Sequence, residues 1–192
     1  MAKQVKDPET NMPLVTIVIP SFNHESYIED CVKSVCNQSY SPLQVIVIDD
    51  GSSDGSPEIL SNLKASYAFE LIVQKNMGLA TTLNTALSLA KGEYFCMMGS
   101  DDIMLPNKTA TQLDYMRRNN DVAVCGGNVE YIDEKGIRLP RHEKKLAERK
   151  LDFEDLFTNK KPAIAAPTSM FVTSILKDLN GFDASSRLED FP

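Results

Sequence analysis

Leu43-Gln44-Val45-Ile46-Val47-Ile48 runs without a break into Asp49-Asp50-Gly51-Ser52-Ser53-Asp54-Gly55. The first six residues are nearly all apolar and rich in β-branched side chains, the composition of a strand buried on both faces in a parallel sheet. The next seven are turn formers carrying three carboxylates. Ser56-Pro57-Glu58 then reads as a helix start: a hydroxyl cap, a proline at the first helical position and a carboxylate near the positive end of the dipole. Outward from this strand–turn–helix unit the pattern repeats. Leu14-Val15-Thr16-Ile17-Val18-Ile19 ends at Pro20-Ser21-Phe22-Asn23, and Tyr27, Ile28, Cys31, Val32 and Val35 form one helical stripe behind it. Leu71-Ile72-Val73, Tyr94-Phe95-Cys96-Met97-Met98 and Val122-Ala123-Val124-Cys125 read as further strands. Ile59, Leu60, Leu63 and Tyr67 mark the apolar face of the helix opened by Ser56, and Leu79, Leu83, Ala86, Leu87 and Ala90 mark another, with Gly92 as its stop. Pro106 opens a fourth helix that faces Leu113 and Met116 inward. Such alternation predicts an α/β fold: a mainly parallel sheet, helices on both faces, right-handed crossovers. From about Asn128 the order loosens, with Val129–Ile132 as a strand in a hairpin-like excursion and His142–Lys150 as a charge run that reads as a solvated helix face or a mobile loop.

The 192 residues suit one domain, or one with part of a second, and are ample for a buried core. With 20 Lys+Arg against 27 Asp+Glu and a net charge of −7, the chain has no basic stripe to neutralise phosphates, which excludes nucleic acid as a partner. No apolar run approaches the roughly 20 residues needed to span a bilayer, and the first residues lack the apolar core of a signal peptide. Cys31, Cys36, Cys96 and Cys125 fall at no metal-ligand spacing, as expected of reduced, buried thiols in a cytosolic protein.

In open α/β sheets ligands bind beyond the carboxyl ends of the strands. Those ends here carry Pro20-Ser21-Phe22-Asn23, Asp49 to Gly55, and Gly99-Ser100-Asp101-Asp102, with Asn76-Met77-Gly78 just ahead of a helix. Adjacent acids after a buried strand repel one another unless solvated or neutralised by a cation. Mg²⁺ or Mn²⁺ is held by one or two carboxylates plus substrate phosphates, so Asp101-Asp102 suits such a site; an acidic helix N-terminus is the plain alternative. Asp50 can accept the ring N–H of a uracil-type base, although the same residues also spell an ordinary turn. Neither a G-x-G-x-x-G after the first strand nor a P-loop occurs. His24 and His142 are lone histidines with surface or loop roles as the default, and Ser21 and Ser100 lack the setting of a nucleophile elbow.

The ordered set Val-Thr-Ile-Val-Ile-Pro-Ser-Phe-Asn (15–23), Val-Ile-Asp-Asp-Gly-Ser-Ser-Asp-Gly (47–55), Asn-Met-Gly (76–78), Lys-Gly-Glu-Tyr (91–94), Ser-Asp-Asp (100–102) and Asn-Gly-Phe-Asp (180–183) resembles the family-two inverting glycosyltransferases, which have the GT-A fold. Six motifs in order, with sensible gaps, make chance a poor explanation. The resemblance implies an N-terminal extension (1–13), a nucleotide-sugar-binding half (14–127) and the start of an acceptor-side half (128–192). It implies that Pro20, Ser21 and Asn23 line the nucleoside pocket, that Asp50 holds the base, that Gly78 belongs to the donor site, that Asp101 sits by the ribose and sugar, and that Asp102 ligates Mn²⁺ or Mg²⁺. Asp190, in a Glu189-Asp190 pair beyond Gly-Phe-Asp, matches the family's catalytic base. The implied reaction moves a sugar from a nucleoside-diphosphate sugar, with UDP favoured, to a hydroxyl of a glycan or lipid-linked acceptor, in bacterial surface polysaccharide or glycan synthesis.

Two departures stand out: Leu83 occupies a position where many members carry an arginine that helps with the donor, and the sequence stops two residues after Asp190, as a truncated form would. Alternatives are a non-catalytic nucleotide-sugar-binding module and a sugar nucleotidyltransferase, the latter disfavoured by the missing glycine-rich loop. The expected location is cytoplasmic. The basic residues of 144–150 with Lys160 and Lys161 are candidates for contact with anionic lipid at the inner face of the membrane, against which the interspersed Glu143, Glu148 and Asp152 argue. No feature speaks to oligomeric state.

Overall fold

A computed structural model of the chain describes residues 12–140, 147–152, 154, 155, 158, 161 and 164–185. Its strands are β1 (Val15–Ser21), β2 (Leu43–Asp49), β3 (Glu70–Val73), β4 (Tyr94–Met97), β5 (Val124–Cys125) and β6 (Met170–Val172). The helices are α1 (Ile28–Cys36), α2 (Ser56–Leu63), α3 (Leu79–Leu89), α4 (Lys108–Arg118) and α5 (Thr173–Asp178). They form one six-stranded sheet in the order β3-β2-β1-β4-β6-β5. β1 runs parallel to β2 from Val15 beside Leu43 to Ser21 beside Asp49, and parallel to β4 on its other edge; β6 runs against the other described strands, antiparallel to both β4 and β5.

Alternation along the buried strands sorts the core into two layers. Val15, Ile17, Ile19, Val45 and Val47 pack with Ile28, Cys31, Val32 and Val35 of α1, Leu60 and Leu63 of α2, and Leu113 and Met116 of α4. Val18, Ile46, Ile48 and Phe95 pack with Leu83, Ala86 and Leu87 of α3 and Leu176 of α5. Helices therefore cover both faces, as the alternation predicts.

Several local expectations are corrected. Ser56 is the first helical residue rather than the cap: its Oγ accepts the His24 N–H at 3.1 Å, and Asp54 Oδ1 accepts the Ser56 N–H at 3.0 Å. Helix α4 begins at Lys108, not Pro106. Helix α3 ends at Leu89, and Gly92 serves a different purpose. A Cβ on Gly92 would lie 2.5 Å from the Thr16 nitrogen and 2.8 Å from the Leu14 carbonyl oxygen, so its absence lets the chain entering β4 pass against β1. The Gly92 N–H donates to Thr16 Oγ1, which itself donates to Gln44 Oε1, a buried polar chain under the sheet edge.

The expectation of uniform crossover hand also fails. The chain advances in the same direction across the sheet from β3 to β4 and from β4 to β5, yet α3 lies on one face and α4 on the other. The fourth crossover thus has the opposite hand to the third. β6 lies beside β4 in the sheet, α5 packs with α3 on one face, and α4 packs on the other. This last strand–helix pair has no counterpart in the expected elements. It comes from the 164–185 segment and inserts in the sheet between β4 and β5. In the excursion after β5, Ile132 and Arg138 form a single antiparallel bridge around a turn at Asp133–Gly136.

Of the expected buried thiols, Cys31 and Cys96 are fully buried and Cys36 and Cys125 half-buried. Burial pushes the Cys96 thiol up to about 11 and raises the others, which leaves them protonated and inert near neutral pH. Among the described residues no helix is long and apolar enough to cross a membrane. Lys150 and Lys161 are paired at the surface with Asp121 and Asp155 at 2.9 and 2.7 Å.

The Gly92 contact yields a fold-level test. Gly92→Ala drives a methyl into β1 backbone that cannot move without breaking sheet pairing, and should destabilise by about 2–3 kcal/mol, or roughly 5–10 °C in Tm. Thermal denaturation with a Tm within about 1 °C of the parent would show that the approach is looser than described.

Candidate active site at the strand ends

The carboxyl ends of β1, β2, β3 and β4 share one rim because these strands are parallel. The loops behind β1 and β2 are bonded to each other residue by residue. Asn23, in the left-handed region at φ 54°, accepts the Ser53 N–H on Oδ1 at 2.8 Å and donates its own N–H to Ser52 Oγ at 2.9 Å. The Glu25 N–H donates to Asp54 Oδ2 at 2.9 Å, while Glu25 Oε2 accepts the Gly55 N–H at 2.6 Å. Asp49 closes the turn by accepting from the Ser52 N–H and hydroxyl. The turn reading of this segment holds and is carried by Asp49, which leaves the neighbouring Asp50 carboxylate directed at the 74–78 loop.

Asp50 is 5% exposed and accepts three hydrogen bonds. Oδ1 takes the Gln74 side-chain N–H at 2.7 Å and the Met77 N–H at 2.9 Å; Oδ2 takes the Gly78 N–H at 2.9 Å. A carboxylate oxygen can accept more than one hydrogen bond, so Oδ2 retains capacity. Gly78 has φ +84°, and it is this backbone angle rather than crowding that requires glycine as α3 begins. Gln74 also donates to Thr82 Oγ1 at 2.9 Å, tying the same loop to the first turn of α3. Pro20 is half-buried, and Ser21 is buried with a hydroxyl that has no hydrogen-bond partner among the described residues.

The β4–α4 loop is folded back on itself. The Asp102 N–H donates to the Gly99 carbonyl at 3.1 Å, and a Cβ on Gly99 would sit 2.6 Å from Asp102 Oδ2 and 3.0 Å from Asp101 Oδ1. The missing side chain is thus the space into which both carboxylates converge. Like charges this near repel by about 1 kcal/mol even at the dielectric of water, and more at a half-buried site. Burial first, and then the Asp101 charge, raise the Asp102 carboxyl above the usual carboxylate range, with His24 acting in the opposite direction. A pair of carboxylates short of positive charge, on a rigid strand end, is a donor set that fits Mg²⁺ or Mn²⁺ completed by phosphate and water oxygens. Among the described residues no cluster of three or more His, Cys, Asp or Glu side chains forms an all-protein cage.

His24 was expected to have only a surface or loop role. It does lie in the β1–α1 loop, where its Nδ1 is 2.6 Å from Ser100 Oγ, joining the β1 loop to the β4 loop, while its ring meets Tyr27 edge-on at 6.1 Å. Gln74 and Asn84 are further site-supporting residues that sequence reading passed over. Only the exposed polar character of the rim loops pointed to the first. Asn84 follows Leu83, and Leu83 is buried in the core beneath α3. Asp190 lies outside the described residues.

Residues 16–179 match the sequence family described as Glycosyl transferase family 2. An uncharacterized glycosyltransferase of Haemophilus influenzae is 36% identical over 140 residues, covering 71% of this chain and 56% of that protein. A chondroitin synthase of Escherichia coli is 36% identical over 126 residues, or 65% of this chain and 18% of that protein. The chain thus spans about half or less of the length of these curated relatives. Two solved structures share the fold: a mannosyltransferase of Pyrobaculum calidifontis in complex with GDP-Man and Mn²⁺ (TM-score 0.71, 21% identity, 94% of this chain and 50% of that one), and residues 1–349 of S. aureus TarS in complex with UDP (TM-score 0.70, 19% identity, 91% and 52%).

The raised Asp102 carboxyl has a stability consequence with a definite sign. The folded state takes up this proton at higher pH than the unfolded chain, so the ionised group opposes folding at neutral pH and that penalty is relieved as pH falls through its folded value. Asp102→Asn should therefore raise Tm at pH 7 without added metal, by about 1–3 °C for a half-exposed, solvent-screened pair. The gain should vanish near pH 3, below the ordinary carboxylate value. A lower Tm for the variant at pH 7 would mean that Asp102 is stabilised by a group other than those described.

Proposed function

Because the chain belongs to glycosyltransferase family 2, we propose that it provides the donor site of a GT-A enzyme that transfers a sugar, with inversion, from a nucleoside-diphosphate sugar to an acceptor hydroxyl. The observation that carries this reading is the convergence of Asp101 and Asp102 over Gly99, on the same rim as the buried Asp50 carboxylate. Residues 14–127 form the donor half in this reading, and 128–192 begin the acceptor side. Surface glycan synthesis in bacteria, a glycan or lipid-linked acceptor and the cytoplasmic side of the membrane follow from the family reading alone.

Asp50 accepts the ring N–H of the base, a uracil-type ring being favoured, with Oδ2 as the oxygen that has capacity. The uncommitted hydroxyl of Ser21, with Pro20 and Asn23, borders the nucleoside, and the exposed ring of Phe22 offers an apolar surface beside it. Gly78 fixes the start of α3 beneath the donor. Asp101 lies toward the ribose and sugar, and Asp102 is the principal ligand for Mn²⁺ or Mg²⁺. When bound, that cation supplies positive charge against the diphosphate as it leaves. Asp190 takes the proton of the acceptor hydroxyl, whose oxygen forms the new bond at the anomeric carbon while the bond to the diphosphate breaks on the opposite side. This requires the carboxylate within about 3 Å of that oxygen. Alignment of the three reacting atoms supplies much of the rest of the acceleration.

Two variants separate binding from chemistry. Asp102→Ala should lose the Mn²⁺-dependent part of UDP affinity, a drop of about tenfold or more by calorimetry; unchanged affinity with and without Mn²⁺ removes Asp102 from the metal site. Asp190→Asn should bind UDP within about twofold of the parent and lose about 100-fold or more in transfer rate. Turnover near that of the parent would exclude it as the base. A thermal-shift series of UDP-, GDP- and dTDP-sugars with Mn²⁺ ranks the donors, since stabilisation grows with ligand concentration over Kd.

A further inference from the structure

The acidic segment after β4 is gripped from outside by helix α1. The Cys31 S–H donates to the Gly99 carbonyl at 3.2 Å, the same carbonyl that closes the turn by accepting the Asp102 N–H. Farther on, Ser34 Oγ accepts the Met104 N–H at 2.9 Å, and the Gln38 side chain donates to the Leu105 carbonyl at 2.9 Å. Between these anchors stands Ser100, 3% exposed, whose hydroxyl meets the His24 ring. His24 is itself fixed through its backbone. Its N–H donates to Ser56 Oγ at 3.1 Å, and its carbonyl accepts the Tyr27 and Ile28 N–H groups, both at 2.9 Å, as α1 begins. The residue before it, Asn23, carries the paired bonds to Ser52 and Ser53 of the β2 loop. One residue thus belongs to the β1 and β2 loops through its backbone and to the acidic turn through its ring.

We propose that His24 is a positioning residue for the donor site: its bond to Ser100 sets the Asp101 and Asp102 carboxylates in place relative to the β1 and β2 loops. This rests on the nucleotide-sugar and cation reading of the rim proposed above. A nucleoside diphosphate spans both regions in that reading, with its nucleoside on the β1 and β2 loops and its diphosphate, through the cation, on the acidic turn. Their separation must then hold to within about 0.5 Å for both ends to be bound together. Mg²⁺ is the stricter case, since it demands near-octahedral oxygens at about 2.0–2.1 Å. Backbone anchors at Gly99 and Met104 leave the peptide units between them free to turn, and a bond to the Ser100 side chain removes that freedom. The bond crosses 76 positions of sequence, and its direction follows the ring tautomer, so either tautomer can make it. Part of the gain in affinity that the cation and the diphosphate give each other therefore runs through this bond, and linkage makes the gain the same in both directions.

Two substitutions at His24 separate the bond from the ring. His24→Asn puts an amide where Nδ1 lies, keeping a partner for Ser100 and losing the edge contact with Tyr27; His24→Phe keeps a ring against Tyr27 and loses the bond. UDP affinity of the whole chain is measured by calorimetry with and without Mn²⁺, beside hydrogen exchange at the Asp102 N–H in the metal-free protein. His24→Phe and Ser100→Ala should each cut the Mn²⁺-dependent gain in UDP affinity by about fivefold or more. Both should leave metal-free UDP affinity within about twofold of the parent and quicken exchange at the Asp102 N–H. The double variant should lose no more than either single one, since both remove the same bond. His24→Asn should keep the Mn²⁺-dependent gain within about twofold of the parent. A full gain in His24→Phe overturns the proposal, as do additive losses in the double variant or a loss in His24→Asn as large as that in His24→Phe. A parallel fall of metal-free UDP affinity and Tm in His24→Phe also overturns it, because that marks a merely structural role. A parent that binds UDP equally well with and without Mn²⁺ or Mg²⁺ removes the cation from this rim and the proposal with it. A parent that binds neither UDP nor GDP under any of these conditions overturns the glycosyl-transfer reading itself.

Discussion

Everything in this molecule depends on β1 being hydrogen-bonded on both edges to parallel partners and covered on both faces. A parallel strand in that situation cannot return through a tight turn; each connection must pass over a face of the sheet, and helices are the economical way to do so. Apart from the hydrogen-bonded Thr16 and Gln44, polar side chains gather at the ends of such strands. Parallel direction then puts the ends of β1, β2, β3 and β4 on one rim, so the chemistry is concentrated by the same constraint that builds the core.

The rim combines two opposite electrostatic situations. Asp50 is deeply buried yet accepts three N–H donors, a stable way to keep a carboxylate inside that still leaves capacity on Oδ2. Asp101 and Asp102 converge over Gly99, and burial together with the Asp101 charge pushes the Asp102 carboxyl toward its protonated form. Local stability has been given up where a cation would restore it, a pattern expected of a binding site rather than of a framework. The His24–Ser100 bond ties this loop to the one behind β1, and the reversed hand of the fourth crossover brings α4 to the same face as α1, so the two loops run close enough for it to form.

Several local signals were legible from the residues. The β-branched runs, the helical stripes and the Asp-Gly and Asn-Met-Gly turns each reflect neighbours within a few positions, and they placed the four parallel strands, the two-sided helix cover and the rim. Others were misread for an equally local reason. Gly92 and Ser56 have the chemistry of a helix stop and a cap, but their actual partners are Thr16 and His24, far away in sequence. The short β6 strand was invisible because three residues carry no period, and what makes them a strand is pairing with β4 on one side and β5 on the other.

What the sequence by itself determined is thus the class of the fold and the identity of the polar groups at the strand ends, because hydrophobic periodicity and turn chemistry are written in adjacent residues. What only the tertiary structure decided is how those groups are held: Asp50 by the 74–78 loop, His24 against Ser100 across 76 positions, and Asn84 on Phe182 across 98. Hydrogen bonds over such separations exist only after the sheet has closed, since the cost of joining distant loops is met by the buried core and not by the bonds themselves.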